Sequence, residues 1–456
     1  MTRALVLFTG DLRVHDHPAL SAAVGAHEQV VPAFVLDDAL LAGGCGAPNR
    51  LAYLLDCLRD LDSSLRARGG ALIVRRGDVV EQAIRLARRW KTAAIHLSAE
   101  TTPYARARQE RLARACATER IELRAFPGPA VLEPGALTPV GGDHYRVFTP
   151  YWRAWSARGP GPAAPTPRRI PVPEGMPALR LPALASLTSA TPSPRLISGG
   201  ESEARRRLAA WVRGPLSAYP EGHDDLSGER TSRLSADLHF GTVSPRSVLE
   251  RTAGRPGAED FARQLCWRDF YKQVLAARPE LPRRDYRPRG DRWRRRGADA
   301  DAWRAGMTGY PIVDAGMRQL ATEGFMHNRA RLIVGSFLTK LLYLDWRLGA
   351  AHFARLLLDA DVANNVGNWQ WVAGTGNDTR PNRVLNPMRQ AERFDPAGDY
   401  VRRHLPELAS LQGAAAHRPW RLPALQRRAL DYPAPIVDHE LAARELRLRR
   451  QARSGA

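Results

Sequence analysis

The chain has 456 residues, a formal net charge of +21 and no apolar run long enough to span a membrane, so we expect a two-domain cytoplasmic protein. Its four cysteines are scattered and none forms a C-x-x-C pair, which argues against a disulfide framework, a metal site or an iron–sulfur cluster. Only three basic residues are lysines, so the positive charge is mostly arginine. It reflects either codon bias in a GC-rich genome or a phosphate-binding surface.

Apolar runs and amphipathic stretches alternate through the first third of the chain. The N-terminal MTRALVLFTGD predicts a first strand rather than a signal peptide. The predicted strands are Ala4–Phe8, Val30–Leu36, Ala71–Val74, Ala93–Leu97 and Ile121–Phe126, and the predicted helices are Pro18–Val24, Arg50–Arg68, Val79–Trp90 and Tyr104–Glu119. This rhythm predicts an α/β domain over residues 1–130, with a parallel five-stranded, Rossmann-like sheet. The usual dinucleotide fingerprint is missing after the first strand, and a ligand would sit at the carboxyl ends of the strands.

The composition then changes twice. Pro, Gly, Ala and Ser dominate the end of the segment 131–200, which predicts an interdomain connector. From Glu201 the pattern is helical, and an all-α domain is expected over residues 201–456. Its clearest predicted helices are Phe261–Arg278, Tyr310–Glu323, Asn328–Leu344 and Ala350–Leu358.

Two polar clusters open the helical region. Thr231–Ser235 places three hydroxyls around an arginine before a helix, which suits either a bound phosphate or an ordinary helix cap. Gln264, Trp267, Arg268 and Tyr271 share one helical face. Such a stripe fits either a stacked base flanked by phosphates or an amphipathic core helix.

Two further clusters lie near the middle of the predicted helical domain. Arg329 and Arg331 point to different faces of a helix, so one is available to a ligand and the other to an internal ion pair. Asp359 and Asp361 precede the run NNVGNWQW at residues 364–371. So many carboxylates, amides and indoles are costly to bury for structure alone, and partners for a heteroaromatic ring would explain them.

Several longer motifs, in order, resemble those of the photolyase/cryptochrome family, most closely its class I cyclobutane-pyrimidine-dimer photolyases. They are FTGDLRVHD at 8–16, RLAYL at 50–54, PY at 103–104, TGYPIVDAGMRQL at 308–320, DWR at 345–347, NP at 386–387 and YPAPIV at 432–437. The resemblance covers essentially the whole chain. It implies an α/β antenna-chromophore domain, a long connector and a helical domain that binds FAD and damaged DNA.

The resemblance also implies roles for residues around the flavin. The FAD phosphates and ribityl chain would be held by Tyr219, Thr231, Ser232, Arg233, Leu234 and Ser235. Asp359 and Asp361 would face the polar edge of the flavin ring, with Arg331 paired to Asp359. Asn365 would lie opposite flavin N5 and favour the reduced cofactor, because its amide can accept a hydrogen bond from a protonated nitrogen.

A second implied set of residues handles DNA and electrons. Gln264, Trp267, Asn328, Arg329, Leu332 and Trp371 would form the pocket for a flipped-out dimer, while His223, Arg268, Tyr271, Arg329 and Gln390 would contact DNA. Trp369, Trp346 and Trp293 match the family's electron-relay tryptophans. The implied reaction is transfer of one electron from excited reduced FAD to the dimer, ring splitting and return of the electron.

The chain departs from the family pattern at a few positions. Dimer photolyases usually carry Glu where this chain has Gln264, whereas relatives that repair (6-4) photoproducts have Gln but also a histidine pair where this chain has Asn328 and Leu332. Alternatives to dimer repair are therefore a (6-4) photolyase and a cryptochrome-like photoreceptor. For a second, antenna chromophore, Arg50 and Glu100 match residues that contact 8-hydroxy-5-deazaflavin, which we favour over folate or another flavin. A monomer is expected.

Overall fold

The computed structural model describes residues 1–43, 46–228 and 230–454; Cys45 lies outside these ranges. Five parallel strands form one sheet in the order β3-β2-β1-β4-β5. They are β1 Arg3–Phe8, β2 Gln29–Asp37, β3 Ile73–Gly77, β4 Ala94–Ser98 and β5 Glu122–Phe126. The register pairs Ala4 with Val30 and with Ala94. The predicted sheet is confirmed, and each predicted strand matches an observed one to within about three residues.

The helices are α1 Pro18–Ala26, α2 Asp38–Ala42, α3 Pro48–Arg66, α4 Val79–Trp90, α5 Pro103–Glu119, α6 Phe148–Arg158, α7 Glu201–Arg213, α8 Tyr219–Gly222, α9 Ser235–Phe240, α10 Pro245–Thr252, α11 Ala258–Ala277, α12 Ala298–Ala305, α13 Pro311–Glu323, α14 Asn328–Ser336, α15 Trp346–Leu356, α16 Val362–Ala373, α17 Pro387–Phe394, α18 Asp399–His404, α19 Ala414–His417, α20 Ala424–Arg428 and α21 His439–Ser454. Among the described residues, no helix is both long and apolar enough to cross a membrane.

The central strand β1 explains why the sheet is covered on both faces. Successive side chains of a strand point to opposite faces, and β1 is apolar on both. Val6 and Phe8 join a core with α1 and α3, whereas Leu5 and Leu7 join a core with α4 and α5. The sheet is therefore sandwiched between helices, as its continuous apolar strands predict.

The connector differs from its prediction in its first part. Phe148, Tyr151 and Trp155 of α6 are buried in the core of the helical domain rather than lying in a surface linker. Trp155 Nε1 also donates to Asp269 Oδ2 at 3.1 Å. The proline-rich composition that predicted a linker begins only after α6 ends. The predicted connector therefore joined a buried helix and a proline-rich segment, which differ in structure.

The predicted continuous helix Asn328–Leu344 is wrong. Helix α14 ends at Ser336 and continues as one π-helical turn over Phe337–Leu341. The chain then turns through Tyr343, whose φ is +53°, and Asp345 caps α15 by accepting from the Arg347 N–H. An apolar run alone gives no sign of this widened turn, because every residue in it remains buried.

The two domains meet through buried polar contacts. Arg13 donates to the Gly241 carbonyl at 3.0 Å, and the Glu201 carboxylate accepts from the Val14 and His15 amides. Arg50 on α3 donates to the Leu357 carbonyl at 3.0 Å. These contacts leave a cavity between the sheet and the helical domain, which we call the interdomain cavity.

Candidate functional site

A second cavity lies wholly within the helical domain, and we call it the central cavity. Helices α14, α15 and α16 and the turn before α16 surround it. It is lined by Asn328, Arg331, Leu332, Gly335, Phe353, Leu357, Asp359, Asn364, Asn365, Asn368, Trp369 and Val372. The structure thus brings together six residues that we had assigned separately to the flavin, the lesion and the relay.

Asp359 is the charged group of the central cavity. Arg331 donates to its Oδ2 at 2.8 Å, as predicted. Burial opposes ionisation, but the Arg331 charge and hydrogen bonding from Arg331 and Ser235 hold the pKa of Asp359 below its ordinary value. Its other oxygen, Oδ1, is buried and lacks a well-formed hydrogen bond within the described residues. An ionised carboxylate with one unused acceptor oxygen suits an N–H of a heteroaromatic ring.

Asn365 presents an acceptor to the same cavity. Its Nδ2 donates to the Ala350 carbonyl at 3.0 Å. This bond uses the donor side of the amide, which leaves Oδ1 to accept. The predicted role of this oxygen, as the acceptor for a protonated ring nitrogen, stays a prediction.

The Trp369 indole forms an apolar wall and is 4% exposed. A Cβ atom at Gly349 would overlap this ring, and one at Gly335 would lie 3.6 Å from it. Phe353 and Trp303 pack edge-on against it, with ring centroids 5.0 and 6.1 Å away. The absence of side chains at Gly349 and Gly335 therefore leaves the space that the Trp369 indole occupies beside the cavity.

Asp361 does not share this cavity, although we expected both carboxylates at one ring edge. It caps α16 by accepting from the Asn364 amide at 2.9 Å, and Lys272 lies 3.1 Å from its Oδ2. Burial opposes ionisation, but Lys272 and Arg268 lower the pKa of Asp361 well below its ordinary value. Asp361 lines the interdomain cavity instead.

The interdomain cavity has a volume of about 820 Å³. The predicted antenna residues Arg50 and Glu100 both line it. Glu100 pairs with Arg108 at 3.0 Å, and a Cβ at Gly10 would come only within 3.8 Å of the Glu100 carboxyl. Tyr104 donates a short hydrogen bond to Asp37 at the end of β2. The cavity therefore lies at the carboxyl edge of the sheet, where ligands of parallel sheets bind.

The predicted phosphate segment borders the central cavity. Ser235 and Arg233 line a small pocket together with Asp359. Arg233 adopts a φ of +51°, pairs with Glu323 and lies 4.4 Å over the Phe325 ring. Thr231 and Ser232 are half-buried just before it, and Leu234 is buried. Tyr219 is buried in an aromatic cluster 5.5 Å from Trp211.

The predicted lesion pocket combines exposed amides with half-buried indoles. Gln264 and Asn328 are exposed, whereas Trp267 and Trp371 are half-buried. The Trp267 ring is stacked on Phe148 at 3.7 Å with an interplanar angle of 2°. Phe148 thus covers part of Trp267 and fixes the tilt of its ring.

Two predicted DNA contacts are corrected by the structure. Tyr271 is only 2% exposed, and its ring fills the space beside Gly367 of α16, so it cannot reach DNA. Arg268 donates to the Leu238 carbonyl at 2.7 Å and to the Pro129 carbonyl, and it lines the interdomain cavity. Shared helical spacing did not mean a shared surface, because other elements cover α11 on several sides.

The other predicted DNA residues lie near one another. Arg329 pairs with Asp224 and lies 4.3 Å over the Phe394 ring of α17, the helix that carries Gln390. The neighbouring His223 is half-buried; its Nδ1 lies 3.1 and 3.0 Å from the Tyr219 and Pro220 carbonyls, and its Nε2 lies 3.8 Å from Asp224. Asp224 holds the Arg329 side chain in place and offsets part of its charge.

The remaining predicted relay residues, Trp346 and Trp293, differ in burial. Trp346 is fully buried, and its Nε1 donates to Asp285 at 2.9 Å. Trp293 is half-buried, and its ring contacts Tyr343 with centroids 5.1 Å apart. The series Trp369, Trp346, Trp293 therefore runs from buried to half-buried positions.

Sequence reasoning missed several neighbours of these sites. Lys272 is one helical turn beyond Arg268, and its rarity in an arginine-rich chain was an available signal. His239 lines the interdomain cavity, and burial lowers its pKa to about 4. Phe148 and Trp303 had no local signal, because only the packing of distant helices places them at the site.

Comparison with known proteins decides the family. The model described as "DNA photolyase" matches residues 4–173, and the model described as "FAD binding domain of DNA photolyase" matches residues 261–452. The chain belongs to the photolyase/cryptochrome family. A deoxyribodipyrimidine photo-lyase from Streptomyces griseus is 52% identical over 442 residues, covering 96% of this chain and 97% of the relative.

Solved structures of the family are also similar to this chain. A bacterial class III photolyase from Agrobacterium tumefaciens has a TM-score of 0.92 at 34% identity, covering 100% of this chain and 98% of that one. An archaeal photolyase from Sulfolobus tokodaii, solved with two FAD molecules, has a TM-score of 0.87 at 29% identity, covering 99% and 100%. The photolyase fold is thus shared over the full length.

Proposed function

We propose that this chain is a deoxyribodipyrimidine photo-lyase that binds FAD in the central cavity and repairs cyclobutane pyrimidine dimers in DNA with light. The observation that carries the proposal is the composition of that cavity. One space is bordered by the ionised Asp359 with its unused oxygen, the acceptor amide of Asn365 and the predicted lesion residues Asn328 and Leu332. The similarity to curated photo-lyases over nearly the whole chain supports it.

The residues present fit FAD, which when bound supplies the photoexcited electron that splits the dimer and then returns. Asp359 would accept from an N–H of the flavin ring, and Arg331 keeps that carboxylate ionised. Asn365 would accept at a protonated ring nitrogen because its Nδ2 is already used by Ala350. Ser235 and Arg233 would hold the phosphate side.

The substrate side is formed by the predicted lesion residues. Trp267, held by Phe148, and Trp371 would stack on the two bases of an extruded dimer. Gln264 would hydrogen-bond a base edge, and Arg329 would contact the strand. Because these groups bind and orient, they contribute to repair by placing the dimer beside the cavity rather than by proton transfer.

A repair assay tests the proposal directly. Purified FAD-loaded protein, reduced with dithionite, is illuminated with oligonucleotides that carry either a cyclobutane thymine dimer or a (6-4) photoproduct. We expect light-dependent repair of the first substrate only. Repair of the (6-4) substrate would instead assign the chain to that activity, and repair of neither would favour a photoreceptor.

The finer assignments remain part of this proposal. We propose a class I enzyme on the motifs given above; the similarity to a class III structure means that overall fold does not separate the classes. We also propose that the enzyme acts as a cytoplasmic monomer, and that Trp369, Trp346 and Trp293 form an electron relay to photoexcited oxidised flavin.

For the antenna we propose 8-hydroxy-5-deazaflavin in the interdomain cavity. Its volume of about 820 Å³, its position at the sheet edge and the Glu100–Arg108 pair support a planar polar chromophore there. The Sulfolobus tokodaii structure makes a second flavin the main alternative. The absorption spectrum of protein purified from a deazaflavin-producing host tests this, since absence of a deazaflavin band would overturn it.

A further inference from the structure

Arg263 is an exposed cation beside the predicted lesion pocket. It lies on α11, one helical turn before Trp267. Glu259 and Asp260 precede it by four and three positions, a spacing that commonly gives ion pairs on a helix. Neither carboxylate pairs with it. Over residues 1–43, 46–228 and 230–454, the Arg263 guanidinium has no ion pair and no hydrogen bond, so its donors are available to a ligand.

The guanidinium lies instead over two aromatic rings of α6. Its central carbon is 5.4 Å from the centroid of the Phe148 ring and 5.7 Å from that of Trp152. Trp152 is itself stacked on the buried Trp155, with centroids 5.6 Å apart and an interplanar angle of 24°. An aromatic face attracts a cation without using its N–H donors. The two rings therefore restrain the guanidinium while leaving those donors unused.

Phe148 also connects Arg263 to the lesion pocket. The same ring is stacked on Trp267 at 3.7 Å, so it contacts both the arginine and the indole that we propose to stack on the dimer. Helices α6 and α11 are joined a second time by the hydrogen bond from Trp155 to Asp269. One aromatic ring thus separates the Arg263 guanidinium from Trp267, and two contacts fix the helices that carry them.

This arrangement suits a backbone phosphate. The planar guanidinium can donate two parallel hydrogen bonds to a phosphate, which an ammonium cannot do. A side chain that is already restrained loses less conformational freedom when it binds. An extruded dimer must remain joined to its strand on both sides, so phosphates of that strand pass the edge of the pocket. A contact of this kind positions the strand without reading its sequence.

We infer that Arg263 binds a phosphate of the damaged strand next to the dimer but outside it, and that Phe148 and Trp152 hold its guanidinium for this contact. The inference rests on the proposed function. It adds a DNA contact that differs in kind from Arg329, whose charge is partly offset by Asp224. Arg263 has no such partner in the described chain, so its whole charge is available to the DNA.

The dependence of DNA binding on salt tests the contact. FAD-loaded protein is titrated in the dark with a fluorescent duplex that carries one thymine dimer, between about 50 and 300 mM KCl, and binding is followed by anisotropy. Each phosphate contact contributes about 0.9 to the slope of log affinity against log salt concentration. We expect Arg263→Ala to flatten the slope by about 0.9 and to lower the affinity about 10-fold at the lowest salt concentration. Arg85→Ala, at an exposed position on α4, removes the same charge and should change neither value.

Two further variants separate the charge of Arg263 from its restraint by the rings. Arg263→Lys keeps the charge, so the slope should stay at the wild-type value while the affinity falls, because an ammonium lacks the planar fork. Trp152→Leu keeps both the Arg263 charge and an apolar contact with Trp155. We expect it to lower the affinity by about 3-fold without changing the slope.

Repair of an isolated thymine-dimer dinucleotide separates the phosphate contact from the lesion pocket. This substrate has no phosphate outside the dimer, so Arg263→Ala should repair it at the wild-type rate. Trp267→Ala, in contrast, should lose activity on the dinucleotide as well as affinity for the duplex. FAD content and melting temperatures show whether each variant is folded.

Three outcomes would overturn the inference. An unchanged salt slope in Arg263→Ala would leave the residue a packing role only. Equal losses on the duplex and the dinucleotide would show that Arg263 acts through Phe148 on the pocket. Equal flattening in Arg85→Ala would mean that total charge, and not this site, sets the slope. Dark binding does not depend on repair, so a wild-type protein that shows the expected salt effects but repairs no dimer would refute the proposed function alone.

Discussion

The central and interdomain cavities meet at one short segment, Asp359–Asp361, and they are built differently. Residues of the helical domain alone line the central cavity, whereas both domains line the interdomain cavity. Asp359 faces the first with an unused oxygen, while Asp361 faces the second already paired with Lys272. A ligand of the central cavity would thus meet a carboxylate oxygen without a well-formed hydrogen bond, whereas the carboxylate that faces the interdomain cavity already has a cationic partner.

The largest expected effect comes from removing Lys272, the cation that pairs with Asp361 beside the interdomain cavity. Lys272→Met leaves a buried carboxylate unpaired, and we expect the free energy of unfolding at pH 7 to fall by about 3–5 kcal/mol. The side chains of Lys272 and Asp361 are only 7% and 15% exposed, so solvent screens the pair little. Urea denaturation measures the change. Lys91→Met, at an exposed position, is the control and should change stability little.

The same variant has a predicted dependence on pH. The folded-state pKa of Asp361 is depressed from its ordinary 3.8, so its ion pair stabilises the fold above about pH 4. That stability is lost as pH falls toward the depressed pKa. The difference between wild type and Lys272→Met should therefore narrow on acidification below pH 4, and a widening gap would contradict the assignment.

The corresponding substitution in the central cavity is Asp359→Asn. It removes the charge that pairs with Arg331 and would bind the flavin ring, so we expect FAD affinity to fall by roughly 1.5–3 kcal/mol, the value of a charged hydrogen bond. The FAD-to-protein ratio and a titration of apoprotein measure this. Asp399→Asn removes a half-exposed surface pair with Arg402 and should leave FAD binding unchanged. Equal FAD loss in both variants would show that the effect is not local.

Substitutions in the predicted lesion pocket should weaken DNA binding without affecting FAD binding in the central cavity. We expect Trp267→Ala to weaken binding of dimer-containing DNA by about 1–3 kcal/mol, the value of one base–aromatic stack, without FAD loss. Phe148→Leu should have a smaller effect in the same direction, because it loosens the ring beneath Trp267. Fluorescence anisotropy with a dimer oligonucleotide is the measurement, and FAD release from either variant would count against a pure substrate role.

The smallest expected effect concerns Gln264. Gln264→Glu restores the residue that dimer photolyases usually carry at an exposed position of the pocket, so repair should rise slightly or stay the same. The quantum yield of dimer repair measures it. A large loss would show that the pocket holds the dimer differently from our proposal.

Much of the fold could be predicted because its signals are local. The five strands follow from apolar runs and the helix α4 from its amphipathic spacing, and both matched closely. Helix α14 was predicted too long, since nothing in the run 328–344 distinguishes a π turn from an α-helix. Helix α6 was missed because its segment was judged together with the proline-rich residues that follow it.

The sequence by itself determined the family, the two-domain architecture and six of the residues that line the central cavity, since motifs and hydrophobic periods are properties of short segments. Only the tertiary structure decided where neighbouring residues point. Asp359 and Asp361 are two positions apart yet face different cavities, and Tyr271 lies in the core although Trp267, one turn earlier, is half-exposed. The physical reason is that the direction of a side chain depends on which distant elements pack around its own, and no local pattern records that packing.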